Sequence, residues 1–282
     1  MNLIFFDLDG TLLNSESEIS HFTKETLAKL RKNGIAYSAA TGRTMLTGTS
    51  ILEGHGFDLP QVYSNGVTIW DPKAHKLTLE HLLGSVEVSN IIETAGMQDI
   101  TPFVHAVDSN DYFIYHASPR HDIEKELISV RYQNSKAKIM PLNQLSSLSQ
   151  VTNVSLIGVA AAVEEIERGL NNNTNLVTYS GPAIEGSAYK WMDIHHYQAS
   201  KGAAVKKIAD QLGASILICF GDSDNDLSMF KLSDESYAPA NAKIKLKEVA
   251  TKIIGANDSD GVAHFLRQRF SLYSPVILGF LV

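Results

Sequence analysis

Apolar residues follow two rhythms along this chain. Short unbroken runs, Leu3-Ile4-Phe5-Phe6 and Ile216-Leu217-Ile218-Cys219-Phe220, each end at a turn signal and read as buried strands. A further strand is expected over 35–40, and another over 61–70 after the segment 45–56. Between these runs the apolar positions recur at helical spacing. Phe22, Leu27 and Leu30 share a face on a helix that Ser20 can cap and Gly34 can end. Ala204, Val205, Ile208, Ala209 and Leu212 do the same behind Ser200, up to Gly213. Shorter helices are expected over 227–232 and 260–270. Strand–helix alternation of this kind predicts an α/β fold, a doubly wound parallel (Rossmann-like) sheet. Ligands of such sheets sit beyond the carboxyl ends of the strands, where Asp7, Thr41 and Asp222 would lie.

The middle of the chain changes character. Helix 86–95, paired strands 101–107 and 112–116 with Ser109-Asn110 at the turn, helix 122–132, strand 151–159, helix 162–170 and strand 176–179 make an α+β unit. The expected organisation is a core of residues 1–84 and 186–282 with an inserted cap domain, 85–185. The tract Asn171-Asn172-Asn173-Thr174-Asn175 reads as a turn.

Composition narrows the function classes. The 282 residues favour two domains, and 44% apolar with 20% charged residues gives ample core. A net charge of −7 argues against nucleic acid as a partner. The one cysteine, Cys219, excludes an internal disulfide framework and lies within a strand run, so it reads as a buried, inert thiol. The chain enters a strand at once, without a basic-then-apolar leader, so a cytoplasmic protein is expected, as monomer or homodimer. The apolar tail 275–282 is too short to span a bilayer; it reads as packed on the body or a partner subunit, or as a membrane-surface or aggregation-prone segment.

The chemistry gathers at four places. Residues 7–12 read Asp-Leu-Asp-Gly-Thr-Leu straight after the first strand. Strand alternation would point Asp7 and Asp9 the same way, and two carboxylates at a buried strand tip are costly. Thr41-Gly42-Arg43 follows the second strand, Lys201-Gly202 starts a helix, and Gly221-Asp222-Ser223-Asp224-Asn225-Asp226 follows the strand ending at Phe220. Taken singly, a Thr-Gly turn, a lysine at a helix start and a solvated Asp-rich turn are ordinary. Brought together, Asp7, Asp9, Asp222 and Asp226 could not all stay ionised without a cation, and few carboxylates with water and phosphate suit Mg²⁺. Lys201 and main-chain N–H groups at Leu8 and Gly42 could then hold phosphate oxygens. His195-His196 suggests a metal pair, but adjacent residues of a strand face opposite ways.

In this order and spacing, these stretches resemble the four signature motifs of the haloacid dehalogenase-like (HAD) superfamily hydrolases. More narrowly they resemble the Cof-type, sugar-phosphatase-like branch, whose large cap is inserted between the second and third motifs. Ser64-Asn65-Gly66, Asn241-Ala242 and Asp260-Gly261-Val262-Ala263 also match, while Ala240 stands where such relatives usually carry glycine. The resemblance implies a Mg²⁺-dependent phosphatase acting on a small phosphorylated metabolite, a sugar phosphate or a phosphorylated cofactor. It makes Asp7 the nucleophile and Asp9 the general acid and base. Asp7, the Asp9 region (through its carbonyl) and Asp222 would bind Mg²⁺ with Asp226 in support, and Thr41, Gly42, Lys201 and Asn225 would hold the phosphoryl group. Arg43 would reach the substrate or brace its loop. The cap would act as a lid that reads the leaving group, with His105, Tyr115, Arg120 and Tyr189 as open candidates. Alternatives are a phosphomutase, which needs a basic cluster that the cap sequence lacks, and a non-catalytic phospho-aspartate switch or binding protein.

Overall fold

The computed structural model describes residues 1–108, 111–133, 135–183 and 186–273; the Ser109-Asn110 turn, Glu185 and the tail 275–282 lie outside them. Strand Asn2–Phe6 is an inner strand of a five-stranded parallel sheet. Ile216–Phe220, Glu235–Pro239 and Lys252–Ile254 lie in turn on one side of it, and Ala36–Ala39 on the other. The run Leu3–Phe6 is apolar throughout because both faces are covered. Leu3 and Phe5 pack with Val205 and Ile208 of helix Lys201–Gln211, whereas Ile4 and Phe6 pack with Leu27 and Leu30 of helix His21–Lys32 and Leu266 of helix Gly261–Arg269. All four strand residues are fully buried, each adding about 1.5–3 kcal/mol of transfer free energy. Helix starts follow the sequence signals, since Ser20 and Ser200 accept from the N–H groups of Thr23 and Ala203. Cys219 is free and buried, and burial pushes its thiol well above the usual range.

Segment 61–70 departs from the expectation of one strand. It is a hairpin: Gln61–Tyr63 turns at Ser64-Asn65-Gly66 and returns antiparallel as Thr68–Asp71, with Lys76–Leu79 as a third strand. Three successive positive φ values, 47° at Ser64, 54° at Asn65 and 104° at Gly66, reverse the chain. The Asn-Gly pair carries that signal, because both residues tolerate φ > 0.

The insertion is a six-stranded sheet in the order Leu176–Ala183, Gly186–His196, Gln150–Val159, Phe103–Asp108, Asp111–His116, Lys138–Pro141. All neighbours are antiparallel except the last pair. Helices Ser85–Met97 and Ala160–Leu170 cover one face through Ile91, Val163, Met192 and Ile194. The expected boundary at 185 falls within a hairpin of this sheet, so the insertion runs on to His196 and the core resumes at helix Lys201–Gln211. Within strand Gly186–His196, the buried Met192 and Ile194 alternate with Asp193 and His195, the period-2 pattern of a sheet with two differently lined faces. Strand Lys138–Pro141 was unforeseen.

Candidate active site

Asp7 is the first residue beyond strand Asn2–Phe6, and its N–H still donates to Phe220 O at 2.9 Å. Its carboxylate is 5% exposed and meets Lys201, which reaches across from the first turn of its helix. Lys201 Nζ donates to Asp7 Oδ1 at 2.6 Å and to Asp226 Oδ1 at 2.7 Å. Asp226 Oδ2 accepts from the main-chain N–H groups of Asp222 and Ser223, both at 3.0 Å. Carboxylate oxygens of Asp7, Asp222 and Asp226 lie within 4.8 Å of one another. Thr11 Oγ1 donates to Asp222 at 3.4 Å.

The electrostatics follow from this crowding. Burial, then repulsion by Asp226, hold the Asp7 carboxyl well above the usual range, with Lys201 pulling the other way. Burial and Asp226 push Asp222 up to about 6. Burial works against the charge on Lys201, but Asp226 and Asp7 outweigh it and raise its pKa. Three carboxylates and one lysine leave an excess of negative charge at the strand ends, so the donor set is all oxygen, anionic and compact. Such a set fits a small hard dication.

Asp9 does not join this cluster. The strand ends at Phe6, and the turn Leu8–Leu12 that follows, with φ +70° at Gly10, breaks the alternation that would have aligned Asp9 with Asp7. The Asp9 carboxylate instead takes both arms of Arg43, at 2.7 Å from Nε and 2.6 Å from Nη2, while its side chain stays 54% exposed. Arg43 thus grips Asp9. Leu8 buries its side chain in the core, so only its main chain is available to the site. Position 10 cannot carry a side chain, because a Cβ there would lie 2.6 Å from Asp222 Oδ2. Asn241 Nδ2 ties the same turn down by donating to Gly10 O at 2.8 Å.

Thr41 is 1% exposed and accepts from Arg43 N at 3.0 Å through its hydroxyl. Asn225 Nδ2 donates to Asn65 Oδ1 at 2.9 Å, next to Gly42. The four sequence stretches therefore converge at the carboxyl edge of the sheet.

A family model for haloacid dehalogenase-like hydrolases matches residues 4–266. The chain belongs to that family. This hydrolase is 28% identical over 285 residues to the phosphatase YwpJ of Bacillus subtilis, covering 95% of this chain and 99% of the relative. It is also 28% identical to the 5-amino-6-(5-phospho-D-ribitylamino)uracil phosphatase YwtE of the same organism, over 96% and 99% of the two chains. Among solved structures, a haloacid dehalogenase-like hydrolase from Bacteroides thetaiotaomicron superposes with a TM-score of 0.76 at 24% identity, covering 95% of this chain and 99% of that one.

On the second face of its cap sheet the hydrolase carries two links to the core, His195 beside Asn65 and Tyr179 near Lys201, while helix Asp122–Leu127 and Tyr132 cover Phe103, Ile157 and Ser155 of the same face. Register places Tyr179, Asp193 and Ser155 side by side on that face, with His195 and His105 beside them. Tyr179 stands close enough to Lys201 and Asp226 to feel both charges. Of the four cap candidates, His105 lies on this face and bonds Ser155 Oγ at 2.7 Å. Tyr189 packs among apolar residues under helix Asp122–Leu127, Tyr115 lines a cavity with Phe113 and Leu148, and Arg120 pairs with Asp99 at 2.9 Å. Tyr179 escaped the sequence reading as a site residue; Asn65 entered it only within the matching stretch Ser64-Asn65-Gly66, and His195 only as half of a metal pair. No helix among the described residues is long and apolar enough to cross a membrane.

Proposed function

We propose that this hydrolase is a Mg²⁺-dependent phosphatase that removes the phosphate of a small, hydroxyl-rich metabolite through an aspartyl-phosphate on Asp7. The observation that carries the reading is the meeting of Asp7, Lys201, Asp222 and Asp226 at the end of strand Asn2–Phe6. Asp7 and Asp222, with the main-chain carbonyl of Asp9, would hold the cation, and Asp226 supports them, since its oxygens already accept from Lys201 and two N–H groups. Bound there, the cation offsets the charge of the carboxylates and of the incoming phosphate.

The chain's own residues divide the remaining work. Asp7 forms the new bond to phosphorus as the bond to the leaving oxygen breaks. Lys201 fixes the orientation of Asp7 and keeps its anion next to a permanent positive charge. Thr41 Oγ1, the Gly42 N–H and the Asn225 amide hold the phosphoryl oxygens, so that positioning and charge neutralisation supply most of the rate gain. Asp9, exposed and outside the cluster, carries protons once Arg43 releases one of its oxygens: it gives one to the leaving oxygen, then takes one from the water that cleaves the phospho-aspartate. Arg43 holds Asp9 in reach between those events. YwtE acts on a phosphorylated ribityl compound, and Tyr179, near Lys201 and Asp226, is the cap side chain that would meet hydroxyl groups of a leaving group of that kind.

Phosphate release from a panel of sugar phosphates, nucleotides, pyridoxal phosphate and flavin mononucleotide, with Mg²⁺ and with EDTA, tests this. Metal-dependent release from one or a few members is expected. A folded protein that releases none with Mg²⁺ present would overturn the proposal.

A further inference from the structure

A chain of three side chains, Asn65 and His195 buried and Asn225 half-buried, links the cap to the phosphate side of the site. Asn225 Nδ2 donates to Asn65 Oδ1 at 2.9 Å, and Asn65 Nδ2 lies 3.2 Å from His195 Nε2. With its oxygen already accepting, the Asn65 amide donates through nitrogen, His195 Nε2 accepts, and the ring proton sits on Nδ1. His195 is 1% exposed and Asn65 2%. The three residues come from three units: the last strand of the insertion, the turn of the core hairpin, and the loop after Ile216–Phe220. The hairpin turn also braces the second loop, since Asn65 N donates to Thr41 O at 3.1 Å and Ser64 N to Arg43 O at 2.9 Å.

The packing leaves this chain no slack. A Cβ on Gly42 would lie 3.2 Å from Asn65 Oδ1, and one on Gly66 would lie 2.4 Å from Ser200 O, just before Lys201. The histidine also costs something: its Nδ1 is buried with no partner among the described residues. An apolar residue would fill the space without that cost, so packing alone does not explain a polar ring here.

We propose that His195 is a positioning residue of the phosphate site, acting through Asn65 to fix the Asn225 amide and so tying the seating of the cap's last strand to a loop of the core. Burial and the neighbouring His105 hold its pKa down at about 3, so the ring stays neutral. The inference rests on the phosphatase reading above.

The test measures kcat and KM with p-nitrophenyl phosphate, and calorimetric binding of inorganic phosphate with Mg²⁺. His195→Leu, His195→Gln and His195→Asn are compared, and His195→Leu is repeated in the Asn225→Ala background. His195→Leu should raise KM and weaken phosphate binding about tenfold, the scale of one lost hydrogen bond, with kcat within about threefold. His195→Gln puts a polar atom where Nε2 was and should recover to within about threefold of wild type; His195→Asn falls short of that point and should not. In the Asn225→Ala background His195→Leu should change little, about twofold at most.

Wild-type behaviour of His195→Leu, or an undiminished effect in the Asn225→Ala background, would overturn the inference while leaving the phosphatase reading intact. Should His195→Leu unfold, His195→Gln and His195→Asn carry the test, and equal behaviour of the two would overturn it. A wild-type protein that neither turns over p-nitrophenyl phosphate nor binds phosphate would overturn both claims, because no phosphate site would exist to position.

Discussion

Lys201 contacts two carboxylates that have almost no water, Asp7 at 5% exposure and Asp226 at 0%. Lys201→Met keeps the length of the side chain and removes the charge. Taking one partner from a buried pair costs about 3–5 kcal/mol, because the other charge is left uncompensated. At about 2–4 °C per kcal/mol for a domain of this size, the core transition should fall by about 6–20 °C. The assay is a thermal melt followed by circular dichroism, near neutral pH in EDTA so that no metal substitutes for the missing cation. Lys201→Met/Asp7→Asn should melt above Lys201→Met, since one of the two stranded charges is then gone. The pH dependence has a definite sign. A carboxyl whose folded pKa is raised contributes stability that is full below its unfolded pKa and is lost as the pH rises through the folded value. Asp7 is raised already and rises further without Lys201, so the deficit should shrink on going from about pH 8 to about pH 5. A Lys201→Met protein that melts within about 2 °C of wild type at both pH values would refute the reasoning.

Three further outcomes follow from the site and the cap. Asp7→Asn should abolish turnover of every substrate in the panel yet melt no lower than wild type in EDTA, because a buried repulsive charge disappears; a lowered melt would contradict the crowding argument. Asp9→Asn should cut kcat by about 10²–10⁴-fold. It should leave calorimetric Mg²⁺ affinity unchanged, since its carboxylate binds Arg43 outside the cluster, whereas Asp222→Asn should weaken that affinity. Burial pushes Asp193 up to about 7 against the pull of Arg131, so its stabilising effect is present below about pH 4 and lost as the pH rises toward 7. Urea titrations of Asp193→Asn should show a flatter stability profile across that window, and a profile parallel to wild type would count against this assignment.

Much of the core was legible because its strands are unbroken apolar runs and its reactive residues directly follow them. Asp7, Thr41 and Asp222 are each within two residues of a strand end, and Ser200 announces the helix that carries Lys201. Legibility failed where the chain leaves regular structure. The alternation that paired Asp9 with Asp7 presumes a strand, and the strand stops at Phe6. Asn65 was noted only within the matching stretch Ser64-Asn65-Gly66, and reading 61–70 as continuous hid the reversal that three positive φ values impose there. His195 illustrates another limit. Setting it aside as one half of a zinc pair used sound geometry, but its partner lies 130 residues away and no local pattern points there. The cap face is harder still, because Tyr179, Asp193 and Ser155 adjoin one another only through sheet register.

The insertion leaves the core after Leu83, which pairs with Val151 of the cap sheet, and comes back by His196. Anyone grafting caps between relatives to build chimeras therefore has natural splice points near residues 83 and 197. A junction at 185 would sever a hairpin and divide one sheet between two parents. A cassette cut at the natural points brings its own residue at position 195, so each transplanted lid would meet the host's Asn65 with a foreign contact. Chimeras that fold well but bind phosphate poorly would then be repaired by a single reversion at that position, before any redesign of the lid's interior.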